Sequence, residues 1–145
     1  MDCKALSKAR RCACGNIRRA TRSLTQYYDG FLKPSGLRAT QFSVLLSIAL
    51  NERITIGELA DLLVMDQTTV TRNLSALKRD GFIEFASGDK DARKKCLRLT
   101  EVDEAKLMEA MPLWEAAQKR IEADLGPDRF QEMLKIFSHL VTLTK

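Results

Sequence analysis

The chain has 145 residues, of which 45% are hydrophobic and 30% are charged, and its formal net charge is +5. A chain of this length can bury one compact core without a disulfide or a metal, so we expect a single domain. The first residues, MDCKALSKAR, are rich in charge, and no apolar run approaches the length of a signal sequence or a membrane span. We therefore predict a cytoplasmic protein without a membrane segment, whose four cysteines are reduced thiols.

Basic residues are concentrated in two parts of the chain. Residues 1–30 carry seven lysines and arginines against two acids, residues 72–98 carry eight against four, and residues 101–145 carry six against nine. Basic clusters attract polyanions because binding releases condensed counterions, although a charge run is more often a solvated face. The distribution alone favours a nucleic-acid partner only slightly.

Helical spacing dominates the first half of the chain. A stripe at intervals of three and four residues predicts one long helix, which the sequence KPSG ends; its members are Cys14, Ile17, Thr21, Leu24, Tyr28 and Phe31. Residues 41–50 are mostly apolar and predict a second helix. Thr55 and Glu58 have the spacing of a capping box, which begins a short third helix. Asp66 can cap a fourth helix, and Gly81 supplies its stop.

After this glycine the apolar spacing changes from helical to alternating. Strands are predicted at residues 82–86 and 95–100, and the charged segment SGDKDARK between them suits a hairpin tip. Thr100 opens a long helix with a kink at Pro112, and Pro127 begins a last helix. The apolar face of this last helix comprises Phe130, Met133, Leu134, Phe137, Leu140 and Val141. The predicted fold is mainly α, an α+β winged helix with about six helices and a two- to three-stranded wing hairpin.

The two helices before the hairpin are joined by a turn of about three residues, which makes them a helix-turn-helix motif. The second helix has an inward stripe of Val70, Leu74 and Leu77. Its opposite face carries small polar side chains and one arginine that can enter a major groove: Gln67, Thr68, Thr71, Arg72 and Ser75. Glutamine pairs with adenine, arginine with guanine, and a threonine methyl can meet thymine. For this helix alone an ordinary amphipathic surface is an equal alternative, but the wing and the basic bias favour DNA reading.

Several segments of the chain resemble a known family. They are RRATRSLTQYYDGFL, GLRATQFSVL, TIGELADLLVMDQTTVTRNLSALKRDGFIE and GDKDARKKCLRLTE, in the same order as in that family. On these residues the chain resembles the MarR-type transcription regulators. The resemblance implies that Arg93 is a minor-groove arginine at the wing tip and that Asp91 orients it. Gly88 and Lys90 depart from the wing pattern D-x-R-D-x-R, and this departure bears on sequence preference rather than on DNA binding.

The resemblance also implies how the single chain 1–145 is organised. Residues 1–35 and 101–145 would form the dimerisation helices of an obligate-type homodimer, and residues 37–100 the winged helix-turn-helix lobe. The expected partner is double-stranded DNA with a pseudo-palindromic operator. From the residues alone, the apolar face of the last helix belongs equally well to the core of one chain. The complete predicted DNA-binding set is Thr55, Gln67, Thr68, Thr71, Arg72, Ser75, Lys90, Asp91, Arg93 and Lys94.

Cys14 is a candidate redox or effector residue. If residues 12 and 14 lie on one helix they are about 200° apart, so we expect neither a local disulfide nor a shared metal from Cys12 and Cys14. Arg11 and Arg18 lie one turn to either side of Cys14 and would attract a sulfur anion. A buried structural cysteine is the commoner alternative.

The resemblance aligns Cys14 with the reactive cysteine of the organic-hydroperoxide sensors of the family. Tyr28 matches one of the tyrosines that engage that cysteine, whereas Arg18 and Ala39 stand where two further tyrosines would be. The family also implies a small aromatic effector, for which Tyr28, with Phe31 and Trp114, could line a pocket; helix aromatics are more often core.

We predict no metal, no cofactor and no catalytic site. The cysteines and the single histidine lack the ligand spacing of a zinc module, and no phosphate loop or recognisable acid pair is present. The predicted function is a DNA-binding regulator, a repressor released by a small ligand or by thiol oxidation. The alternative is an interaction module whose winged helix docks onto a protein without reading DNA.

Overall fold

The computed structural model describes residues 7–51, 53–79, 83–87 and 95–144. Residues 7–9 are helical, and a 3₁₀ turn occupies Lys33–Ser35. The other helices are α1 (Ala13–Leu32), α2 (Ala39–Ala49), α3 (Ile56–Leu63), α4 (Gln67–Arg79), α5 (Glu101–Leu125) and α6 (Pro127–Leu143). The strands are β1 (Ile54–Thr55), β2 (Ile83–Ser87) and β3 (Lys95–Leu99). The predicted mainly α winged-helix fold is confirmed.

The three strands form one antiparallel sheet in the order β1-β3-β2. In this register Leu97 of the central strand pairs with Ile54 of β1 and with Phe85 of β2. The wing is therefore the β2–β3 hairpin, and β1 ties the start of the helix-turn-helix to it. The predicted tip residues and helix stop lie outside the described residues: Gly81, Gly88, Lys90, Asp91, Arg93 and Lys94.

One hydrophobic core lies between α2, the helix-turn-helix and the sheet. Leu45 and Ile48 of α2, Leu59 of α3, Leu74 of α4 and Leu97 of β3 are all fully buried in it. Each such aliphatic side chain contributes about 1.5–3 kcal/mol by leaving water. The helix-turn-helix is thus held from behind by α2, and only one side of α4 remains free.

The predicted helix starts agree with the observed hydrogen bonds. The Thr55 amide donates to the Glu58 carboxylate over 2.8 Å, and the Glu58 amide donates to the Thr55 hydroxyl over 3.2 Å. Asp66 accepts from the Thr69 amide over 2.8 Å, so it begins α4 as expected. These caps satisfy amides that lack an intrahelical partner.

Thr100 begins α5, as predicted, in a capping box with Asp103. Asp103 is fully buried; its Oδ2 accepts from the Thr100 amide over 3.2 Å and from the Thr100 hydroxyl. Its Oδ1 has no hydrogen-bond partner in the part of the chain that the structure describes. The helix continues through Pro112 and ends at Gly126, whose φ is 81°.

Aromatic side chains join α1 to α5. The Tyr28 hydroxyl donates to the Gln118 side chain over 2.6 Å, and the Tyr27 hydroxyl donates to the Ala117 carbonyl over 3.4 Å. The carboxylate of Asp29 also reaches α2, where it accepts from the Ala39 amide over 2.7 Å. The C-terminal half of α1 is therefore fixed to its neighbours.

The other half of the α1 stripe remains uncovered. Cys14 is exposed and Ile17 is 38% exposed, so within the single chain Cys14 is not the buried cysteine that was the alternative to a redox residue. The apolar face of α6 is also open: Leu134 is 44%, Phe137 38% and Val141 40% exposed. The reason is the same in both places, because no described helix of this chain packs over them. We call the exposed apolar residues Ile17, Leu134, Phe137 and Val141 the uncovered surface.

The turn between α3 and α4 contains a left-handed residue that is not glycine. Val64 has φ 53° and ψ 47°, and it is more than half exposed. The turn is closed by the Met65 amide, which donates to the Ala60 carbonyl over 2.9 Å. A β-branched residue is strained in this conformation, so the hydrogen-bonded turn holds it there against its own preference.

We predict that Val64→Gly raises the free energy of unfolding by about 0.5–1 kcal/mol. Glycine relieves the backbone strain, and the greater conformational entropy of the unfolded chain offsets only part of this stabilisation. Urea unfolding with an unchanged m-value would measure this. The matched control is Leu62→Gly, an exposed position with helical backbone, where we expect a loss of about 1 kcal/mol. Equal losses at both positions would contradict the strain argument.

Candidate nucleic-acid interface

The position of α4 is fixed by its buried side. Val70, Leu74 and Leu77 are each at most 2% exposed and recur at intervals of three and four residues. Side chains at this spacing lie along one face of a helix, so the opposite face must point into solvent. The packing therefore decides which residues of α4 a ligand can reach.

The opposite face is the predicted DNA-contacting set of α4, and every member is exposed: Gln67, Thr68, Thr71, Arg72 and Ser75. We call these five residues the reading face. The Thr71 hydroxyl donates to the Gln67 carbonyl over 2.7 Å, and the Ser75 hydroxyl donates to the Thr71 carbonyl over 2.8 Å. Because both hydroxyl protons are already used, the two oxygens face outward as acceptors, which suits the amino groups of cytosine or adenine.

Arg72 supplies the only positive charge of the reading face. It is exposed and makes no hydrogen bond or ion pair with any residue that the structure describes. An unpaired guanidinium can donate two parallel hydrogen bonds to the major-groove edge of guanine.

Gln67 brings the starts of the two helices together. A Cβ built on Gly57 would lie 3.4 Å from the Gln67 Nε2 atom, so this side chain lies over the first turn of α3. The neighbouring Thr55 has its hydroxyl engaged in the cap of α3, where it also donates to Glu58 over 2.7 Å. In the structure Thr55 therefore holds the first turn of α3, and its contact with DNA stays a prediction.

Asp66 keeps a negative charge at the start of α4. Its hydrogen bonds from the Thr69 hydroxyl, over 2.6 Å, and from the Thr69 amide hold the pKa of this carboxyl below its usual range. A lowered folded-state pKa means that this cap stabilises the fold above the ordinary aspartate pKa, and that the contribution is lost as the pH falls through the lowered value. The cap is therefore complete at neutral pH.

Comparison with known proteins assigns the chain to a family. A model of the MarR family matches residues 35–94. An uncharacterised HTH-type transcriptional regulator of Bacillus cereus is 34% identical over 116 residues, which cover 80% of this chain and 77% of the relative. The M. tuberculosis transcriptional regulator MosR, solved in complex with DNA, is 39% identical with a TM-score of 0.78, and the match covers 92% of this chain and 98% of that one. The chain belongs to the MarR family.

A mutant of E. coli MarR, solved with operator DNA, matches with a TM-score of 0.81 over 91% of this chain and 96% of that one. At 23% identity this likeness concerns the fold alone. The matched proteins are described as transcriptional regulators and not as enzymes. Within the described residues of this MarR-family chain, no helix is long and apolar enough to cross a membrane, and no three metal-binding side chains form a group.

The backbone around Cys12 and Cys14 differs from the expected one. Cys12 has φ −58° and ψ 118° and lies before the first helical residue, Ala13, so it is the N-cap of α1 rather than part of a longer helix. The predicted separation of about 200° between the two sulfurs therefore does not apply. Arg11 also lies outside the helix, which leaves Arg18 as the arginine one turn from Cys14.

A small apolar hollow lies between α1, α2 and α5. Its volume is about 200 Å³, and it is lined by Tyr28, Leu32, Ala39, Phe42, Ser43, Leu46 and Trp114. The Phe42 and Trp114 rings are stacked with centroids 6.0 Å apart, whereas Phe31 packs on Tyr27. Tyr28 and Trp114 both line the hollow, whereas Phe31, which was predicted with them, does not. The sequence analysis did not predict that α2 lines this hollow, because nothing in the sequence of α2 shows which of its apolar residues border a cavity.

Tyr28 contributes a polar group to the lining of this hollow. Burial raises the pKa of Tyr28, and the neighbouring Tyr27 and Glu122 raise it further, so the phenol stays protonated and donates to Gln118. Tyr28 and Cys14 are fourteen residues apart on one helix, a rise of about 21 Å. Within one chain Cys14 and Tyr28 therefore cannot form one effector site.

Proposed function

We propose that this MarR-family chain is a DNA-binding transcriptional repressor that works in the cytoplasm as a homodimer on a pseudo-palindromic operator. The observation that carries the proposal is the reading face: five exposed polar residues opposite a fully buried stripe of the same helix. MosR is 39% identical to this chain, shares its fold and was solved in complex with DNA, which supports the same conclusion. We assign the chain no catalytic residue.

Two parts of each chain would contact DNA. The reading face enters the major groove, where Arg72 and Gln67 read base edges. The wing reaches the flanking minor groove, with Arg93 and its neighbour Asp91 at the tip and Lys90 and Lys94 beside phosphates. Base contacts set the preferred sequence, and phosphate contacts set most of the affinity.

We predict that Arg72→Ala weakens binding to the specific operator by about 1–3 kcal/mol and relaxes base preference, because a lost bidentate contact matters only on the correct sequence. Titration of labelled operator and of a scrambled duplex measures both effects. Arg120→Ala, which removes an equal exposed charge from α5, is the control and should leave both affinities nearly unchanged. Binding that is insensitive to both Arg72→Ala and salt would instead favour a module that docks onto a protein.

The two chains of a dimer would be joined by the uncovered surface of α1 and α6. In this proposal residues 1–35 and 101–145 make the dimer and residues 37–100 the DNA-binding lobe. Exposed apolar side chains this numerous along one terminal helix are costly in water unless a second copy covers them.

We predict that sedimentation gives a mass near twice 16.4 kDa and that footprints show related half-sites about one helical turn apart. Phe137→Asp should produce a folded monomer with much weaker operator binding, because a buried charge cannot be paired across a symmetric contact. Lys135→Asp, on the same helix, should stay dimeric. A wild-type mass independent of concentration and equal to one chain would overturn the dimer.

Release from DNA is proposed to follow either of two events. One is the binding of a small aromatic molecule in the hollow beside Tyr28, where Phe42 and Trp114 offer flat apolar walls. The other is oxidation of Cys14, which lies exposed near the start of α1 and beside Ile17 of the uncovered surface. A sulfenate or mixed disulfide there would shift α1 and alter the spacing of the two reading faces.

We predict that peroxide releases the wild-type protein from its operator, that Cys14→Ser keeps operator affinity but abolishes this release, and that Cys12→Ser keeps both properties. A gel-shift series with peroxide and then reductant, with mass spectrometry of each cysteine, makes the test. If operator binding is unchanged when Cys14 is fully oxidised, the residue is structural and only the ligand route remains.

A further inference from the structure

Another concave site lies at the start of α1, away from the reading face and from the apolar hollow. Its volume is about 520 Å³, and its lining is Ala9, Arg10, Cys12, Gly15, Asn16, Arg19 and Arg22. Three of these seven residues are arginines and none is acidic. We call this concavity the arginine cavity.

The shape of the arginine cavity is fixed by one side chain. The Asn16 amide group donates to the Arg10 carbonyl and to the Cys12 carbonyl, each over 2.9 Å, and so folds the preceding turn back onto α1. The cavity wall is therefore held by hydrogen bonds and not only by flexible surface chains.

The charge around the arginine cavity is unbalanced. Arg19 donates to the Asn16 side chain over 3.2 Å, and none of the three arginines forms an ion pair with a described residue. The sequence contains no acid between residues 7 and 28, and the first carboxylate of α1, Asp29, lies seven residues beyond Arg22. Three guanidinium groups around one hollow repel one another until an anion enters.

The cavity stays accessible when two chains pair. At 100° per residue, the lining positions of α1, which include Gly15 and Arg19, lie roughly opposite Ile17 and Leu24 of the apolar stripe. A partner that covers the stripe therefore leaves the arginine cavity on the outer side of α1.

We propose that the arginine cavity binds a compact small-molecule polyanion of the phosphate class. Guanidinium groups match phosphate and carboxylate oxygens with paired N–H donors. A planar carboxylate presents one edge to one guanidinium, whereas the tetrahedral oxygens of linked phosphates can receive three that approach from different sides. A single phosphate group carries about −1.5 to −2 at neutral pH, which is less than the charge of three arginines, so a diphosphate group fits better than a single phosphate.

Cys12 provides a reporter inside the proposed site. The experiment measures the alkylation rate of each cysteine by neutral iodoacetamide, using mass spectrometry on the full-length protein without DNA. Pyrophosphate at ten times its dissociation constant should slow alkylation of Cys12 about tenfold by mass action. Cys96 and Cys14, which do not line the cavity, should react at nearly unchanged rates, and sodium chloride of matched ionic strength should protect none of them.

The arginine variants decide whether the cavity itself is responsible. Arg19→Gln and Arg22→Gln should each abolish most of the protection, whereas Arg18→Gln removes an equal charge from the same helix outside the cavity and should keep it. Circular dichroism checks that each variant is folded. If all three variants lose protection of Cys12 equally, the protection comes from the overall positive charge of the helix and the proposal is wrong. An unchanged rate of Cys12 alkylation in pyrophosphate would also overturn it.

A further comparison separates this site from the DNA interface. The Arg72→Ala protein should still be protected by pyrophosphate, because its reading face is not involved. If an operator duplex protects Cys12 while pyrophosphate does not, the cavity is a DNA-backbone contact and the small-molecule proposal is wrong.

Discussion

Burial of Val70, Leu74 and Leu77 against α2, α3 and the sheet is the interaction on which the rest of the lobe depends. Together these side chains contribute several kcal/mol, at about 1.5–3 kcal/mol each, which is more than any surface contact of α4 can offset. The rotation of α4 about its own axis is therefore fixed before any ligand arrives. A reading face held in this way loses little conformational entropy on binding, which favours affinity.

The strained turn before α4 follows from the same constraint. The backbone must reverse within three residues so that α3 and α4 can bury their apolar faces in one core, and Val64 accepts a left-handed conformation as a result. Asp66 then caps the new helix at once. Turn strain of this size is sustained only because the packing on both sides is worth more.

Much of the fold could be predicted because its signals are local. The Thr55–Glu58 and Asp66 caps, the alternation in the strands and the stripe of α4 are each readable within a few residues, and the structure agrees with them. The start of α1 could not be predicted in this way, since Cys12 is not a usual capping residue and the turn before it is held by Asn16. A side chain that acts four residues away on backbone carbonyls leaves no periodic trace in the sequence.

The candidate sites also differ in whether local sequence spacing can predict them. The reading face follows from helical spacing once the buried stripe is known, so the sequence could indicate all five residues. The hollow beside Tyr28 requires three helices to meet, and the arginine cavity requires a turn to fold back over α1; neither arrangement has a sequence spacing of its own. Likewise the sequence showed that Ile17 and Phe137 are apolar, but whether one chain covers them depends on where α1 and α6 lie.

The junction between the winged helix-turn-helix and the terminal helices is closely packed, and this bears on how the proposed signal at α1 would reach α4. α5 has 25 residues and spans about 37 Å; it begins at the end of β3 and, farther along, meets Tyr28 of α1 through Gln118. At its start the fully buried Asp103 carboxylate accepts both Thr100 donors. Leu107 and Ala110 of α5 are buried in the same core as Leu97 and Leu99 of β3. Bending α5 away from the sheet would expose these apolar side chains to water, which is unfavourable. In the proposed release mechanism, a change at α1 would therefore move the winged helix-turn-helix together with α5, so that the distance between two reading faces changes while each face keeps its own geometry.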